Sequence, residues 1–164
     1  MPDKRLLDAE YVARAIIMST MLDSSGNVSL AAFTLRHNES YISVARMAVE
    51  GWLEDLKRIP TSATRQFGGY CKMGVGDIRN LRFIYNEKNE VAFDVEDKAT
   101  ITNKSHAGIL ILFGENTLKG DKETVLKPLP TGVSATGLQM LIQSILSQLA
   151  SKSFVSGSTT VNIE

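Results

Sequence analysis

Small and apolar residues recur at helical spacing over 8–22, DAEYVARAIIMSTML. Val12, Ala15, Ile16 and Ser19 fall on one side, which predicts a helix with Asp8 as its N-cap. DSSGN at 23–27 breaks it. VSLAAFTL (28–35) is rich in strand formers, RHNES is a polar turn, and YISVA (41–45) alternates as a short strand. MAVEGWLEDLKRI (47–59) predicts an amphipathic helix with Ala48, Trp52, Leu53, Leu56 and Ile59 on one face. Glu50, Glu54, Asp55, Lys57 and Arg58 fall mostly elsewhere, and Pro60 stops it. TSATRQFGG follows as a loop. Residues 70–75 then read as a strand and 76–81 as a helical turn. LRFIY (81–85) and VAFDV (91–95) flank NEKNE as a hairpin. HAGILILF (106–113), a short apolar run followed by Gly114, predicts a buried strand. GENTLKGDKET is a hydrophilic loop, and LKPLPTG reads as a linker into the last element.

That element, SATGLQMLIQSILSQLA (134–150), predicts a helix that Ser134 or Thr136 can cap. Leu138, Leu141, Ile142, Ile145, Leu146 and Leu149 give it a wide apolar face. No charged side chain lies between Lys127 and Lys152. A helix with one side in water usually carries charge there, so Gln139, Gln143, Ser144 and Gln148 are an anomaly. Two readings stay open: a helix packed across its own sheet, and one that also meets a partner chain. The second makes Leu138, Leu141, Ile142, Ile145 and Leu149 candidate interface residues. Together the elements predict an α+β fold: a mainly antiparallel sheet with two or three helices packed on it. A single domain is expected over 1–154, with 155–164 as a tail or edge strand.

Composition narrows the function classes. The 164 residues are enough for one core, and 43% are hydrophobic. Eighteen basic and eighteen acidic residues cancel, so net charge does not indicate nucleic acid. The opening segment is interrupted by Asp8, Glu10 and Arg14, unlike a secretory signal, and no run of about 18 apolar residues suggests a membrane span. Cys71 is the single cysteine, which excludes an intramolecular disulfide and suits a reducing compartment. A cytoplasmic, bacterial protein is expected.

Several motifs fail on chemistry. In GGYCKMGVGD (68–77), Gly69 and Gly74 have P-loop spacing, but Val75 replaces the lysine and Gly76 the magnesium-binding hydroxyl. Gly74-Val-Gly76 is followed by Arg79 where a dinucleotide fingerprint needs glycine or alanine. One cysteine and two distant histidines do not supply the usual structural zinc set. Ser105 and His106 in NKSHAGILIL are adjacent, so in extended chain they point to opposite faces. A nucleophile for His106 must then come from Ser43 or another remote residue.

The stretch GDIRNLRFIYNEKNEVAFDVEDK (76–98) resembles the core of PD-(D/E)xK nucleases. The resemblance implies Asp77 and Glu96 as magnesium ligands and Lys98 as the residue that orients the attacking water. Arg79 stands where the stronger form of that motif has its aspartate. More broadly, "RAI", "VSLAAF", "ISVAR", "GGYCKMGVGDIR" and "SHAGI", spanning about residues 14–111, are similar to a group of small uncharacterised bacterial proteins. The matching polar positions are Arg14, Ser43, Arg46 and His106, the catalytic candidates. These four also resemble the site order of ADP-ribosyltransferases, which implies Arg14 as the grip on a phosphate of NAD.

No catalytic set is complete, and the last helix is apolar and uncharged. The leading expectation is therefore a non-enzymatic accessory or interaction protein of a larger bacterial assembly, of the defence or mobile-element kind. It needs no cofactor and associates with a protein partner or with itself. The alternatives are the magnesium-dependent nuclease and the ADP-ribosyltransferase-like enzyme.

Overall fold

The stretch expected to be the first helix is a strand. In the computed structural model, which describes residues 6–17, 21, 27–34, 41–58, 67–85, 89–115, 127–128 and 136–156, β1 runs over Tyr11–Ile17. Val12 and Ile16 are buried on one face, and Ala13 and Ala15 on the other. Burial on both faces erases the polar alternation that marks an ordinary strand, and helical spacing then fits by chance. VSLAAFTL is corrected too: its centre is a 3-10 turn, Leu30–Phe33, which buries Ala32 and Phe33.

The other strands are β2 (Tyr41–Arg46), β3 (Phe67–Gly74), β4 (Arg82–Tyr85), β5 (Asn89–Asp97), β6 (His106–Glu115), β7 (Lys127–Pro128) and β8 (Phe154–Ser156). Seven form one curled antiparallel sheet in the order β4-β5-β6-β2-β1-β3-β8, and β7 pairs with β6. The expected hairpin is β4–β5, in register from Arg82 opposite Ala92 to Tyr85 opposite Asn89. The LKPLPTG linker contributes the short β7, and the chain's end adds β8 against β3. Residues 157–164 of the expected tail lie outside the described residues.

The helices are α1 (Trp52–Lys57), α2 (Val75–Arg79) and α3 (Thr136–Ser151). α1 is far shorter than expected. Gly51 precedes it with φ +85°, a left-handed conformation that ends any helix reading of 47–50. Ala48 is exposed and Leu56 buried; Ile59 and Pro60 lie outside the described residues. α2 and α3 fall close to where the pattern places them, while Ser134 lies outside the described residues.

The α+β class is as expected, and two cores flank the sheet. On one face, Val12, Ile16, Ile42, Val44, Met73, Phe93, Ile109 and Ile111 meet Leu138, Ile142, Leu146 and Ala150 of α3, with Phe33 and Ile78. At about 1.5–3 kcal/mol per fully buried large aliphatic side chain, this face dominates stability. The other core is small: Ala13, Ala15 and Ala45 under Leu56, with Trp52 edge-on to Tyr70 at 5.1 Å and 84°. Three alanines leave room for α1 to lie close to the strands.

Candidate functional site

The sheet register decides which candidate residues can meet. Ser43 pairs with Gly108 and Ala45 with His106 across β2 and β6. Tyr41, Ser43, His106 and Gly108 therefore share the face that carries the alanine core. His106 Nε2 lies 3.3 Å from Ser43 Oγ. The Tyr41 ring is tilted 57° to the imidazole with centroids 5.7 Å apart. It lies over Gly108, where an added Cβ would come within 2.5 Å of ring carbon Cδ2. Lys98 places its Nζ 5.0 Å from the Tyr41 centroid and 3.5 Å from Glu96 Oε2. Partial burial holds the His106 pKa below the ordinary 6.5; a backbone hydrogen bond to Lys98 acts the other way, the Lys98 charge lowers it further, and Asp97 raises it.

Beside this group, Ser105 is wholly buried and donates to Asp55 Oδ2 at 2.6 Å. That bond holds the Asp55 carboxyl below its ordinary value. Ser105 and His106 thus face different partners, as strand alternation requires. Ser105 clamps the loop before β6 to α1, and His106 reaches β2.

Arg14 and Arg46 stand apart from the pair. Arg14 lies on the face of Val12 and Ile16, toward α3, opposite the Ser43 and His106 side chains. Its Nε donates to the Ala32 carbonyl at 2.9 Å and its Nη1 to the Ser43 carbonyl at 2.8 Å. It ties the 3-10 turn to β2, and a half-buried guanidinium needs such acceptors. Arg46 binds Glu10 Oε1 at 2.9 Å and approaches Asp97 at 3.5 Å, at the end of the strands. Of the four polar positions in the bacterial resemblance, only Ser43 and His106 meet through their side chains.

Of the nuclease candidates, Glu96 and Lys98 meet each other, and Asp77 lies elsewhere, on α2. Asp77 is exposed on α2, with its carboxylate turned back over Gly74. Glu96 pairs with Lys98. Among the described residues, no group of three His, Cys, Asp or Glu is placed to hold a metal ion. Arg79, at the position where the nuclease motif has an aspartate, binds Asp94 at 2.6 Å and Asp8 at 2.5 Å. Burial disfavours its charge, but the two carboxylates more than offset this. Cys71 is fully buried, and desolvation pushes its thiol up to about 12, against a smaller opposing effect of Arg14. A thiol held protonated in this way is no nucleophile at neutral pH.

α3 divides its apolar residues between two jobs. Leu138 and Ile142, expected at the interface, are 3% exposed in the protein's own core. Leu141 is 43% and Met140 54% exposed, while Ile145 and Leu149 are half-buried. Ile145 and Leu149 line a groove of about 280 Å³ with Leu81, Arg82, Gln148 and Lys152. No described helix is long and apolar enough to cross a membrane. In comparisons with known proteins, no family model, curated protein or solved structure matches the chain.

Proposed function

We propose that the protein is an accessory component of a larger assembly that works by protein–protein contact through the outer side of α3. The observation that carries this is the exposed Met140–Leu141 pair, continuing through Ile145 and Leu149 into the groove beside Leu81. Clustered exposed apolar side chains mark contact surfaces more often than scattered ones do.

The first occupant of that surface is a second copy of the chain. The helix carries no charge from its start to Lys152, so two copies can lie side by side without like-charge repulsion. Gln139 and Gln148 supply neutral hydrogen-bonding groups at the rim of such a contact. Light scattering on the intact chain over a range of concentrations tests this. A mass twice that of the chain is expected, falling on dilution, and Leu141→Glu should be monomeric, with the thermal stability the intact chain shows at dilutions where it too is monomeric. An intact chain that stays monomeric at every concentration, or a dimer unaffected by Leu141→Glu, overturns it.

A further inference from the structure

We propose that Ser43 and His106 form a nucleophile–base pair that transfers acyl groups from small carboxylic esters. The site lies on the face opposite α3, so it stands independently of the self-association reading. The two side chains come from β2 and β6, neighbouring strands whose register fixes them on one face. Both are partly exposed, so a small ester can reach them. Their 3.3 Å separation is long for a strong hydrogen bond. It matches the loose geometry that catalytic pairs show before substrate binds.

Two further features suit the chemistry. In the tautomer with its proton on Nδ1, Nε2 faces Ser43 Oγ with a lone pair that can accept the Ser43 proton. Partial burial also disfavours the charged imidazole. The groups around it are Tyr41 and Ser43 from β2, and Glu96, Asp97 and Lys98 from the end of β5, with Glu96 paired to Lys98. In this proposal the Lys98 ammonium, over the Tyr41 ring and 3.5 Å from Glu96 Oε2, turns toward a developing oxyanion.

The steps balance without a co-reactant other than water. Ser43 Oγ bonds to the ester carbonyl carbon as its proton moves to Nε2, and the carbonyl electron pair shifts to oxygen. Collapse breaks the bond to the alcohol, which leaves with the proton from Nε2. Water then gives a proton to Nε2 and attacks the acyl group. The carboxylic acid departs, and Ser43 Oγ takes the proton back.

An alkyl fluorophosphonate tests the pair on the intact chain, with peptide mapping of the adduct. Oγ displaces fluoride from phosphorus, so label on Ser43 is expected, absent in Ser43→Ala. His106→Gln should slow labelling by on the order of 100-fold or more. The labelling rate should rise with pH to a plateau with its midpoint below 6.5, the ordinary histidine value. A purely structural Ser43–His106 contact would give neither the adduct nor the profile. Absence of label on Ser43 in the unmutated chain overturns the proposal, and that result depends on no variant folding. Equal labelling rates in folded His106→Gln also overturn it.

Discussion

The two faces of the sheet are built on different physics. The α3 face is broad and apolar, and Arg14 on it is tied to two backbone carbonyls. The α1 face has a small alanine-floored core and, beside it, the polar group of Tyr41, Ser43, His106 and Lys98. Area buried favours the first face as the source of stability, and partial exposure of polar side chains favours the second as a place for chemistry. The lesson is that a residue's neighbours along the chain say little about its role, whereas its face says much. Arg14 and Ser43 sit on adjacent strands and even share a hydrogen bond, yet their side chains serve opposite sides.

Substitutions can break this comparison, and the largest effect is expected in the main core. Leu146→Ala should cost about 3–5 kcal/mol in chemical denaturation, against about 2–3 kcal/mol for Leu56→Ala under α1. Equal losses would remove the distinction between the cores. Arg14→Ala should cost about 2–4 kcal/mol, because it leaves the Ala32 and Ser43 carbonyls without their donor, while sparing labelling of Ser43. Loss of labelling in a folded Arg14→Ala would move Arg14 into the site. Gly108→Ala should cost about 1–3 kcal/mol, since the new methyl meets the Tyr41 ring. Tyr41→Ala in the same chain should recover most of that loss, and a double-mutant cycle measures the coupling.

Ser105→Ala sharpens the α1 side at a smaller scale. Above the ordinary carboxyl value of 3.8 it should cost about 1–2 kcal/mol, after allowance for partial exposure. Because the Asp55 pKa is depressed in the folded state, that stabilisation is full above 3.8 and is lost as pH falls through the folded value. Urea midpoints for the two proteins should therefore converge in acid. The smallest effect belongs to His106. Its folded pKa is also depressed, so the unfolded chain binds the extra proton first and stability rises with pH up to about 6.5. His106→Gln should flatten that slope.

How far the sequence could be read follows from where each signal lay. α3, the β4–β5 hairpin and β6 each carry one exposed and one buried side or a short apolar run, and local pattern found them. The sequence of β1 has helical spacing because both its faces are buried. The long helix expected over 47–59 failed at Gly51, whose positive φ a one-dimensional pattern does not show. For the site, alternation correctly ruled Ser105 out as the partner of His106 and raised Ser43 as one candidate. It could not choose Ser43, because that depends on the β2–β6 register across 63 positions of chain. The Ser105–Asp55 bond and the Lys98–Tyr41 contact left no trace in the sequence, since each joins segments distant along the chain.

The proposed contact surface lies on the outer side of α3, opposite the α1 face. Methyl NMR spectra of the intact chain, recorded as concentration is raised, test it residue by residue. Shifts are expected at Met140, Leu141, Ile145 and Leu149, with Leu56 and Ala45 unmoved. Unchanged α3 methyls, or shifts centred on Leu56 and Ala45, would contradict it.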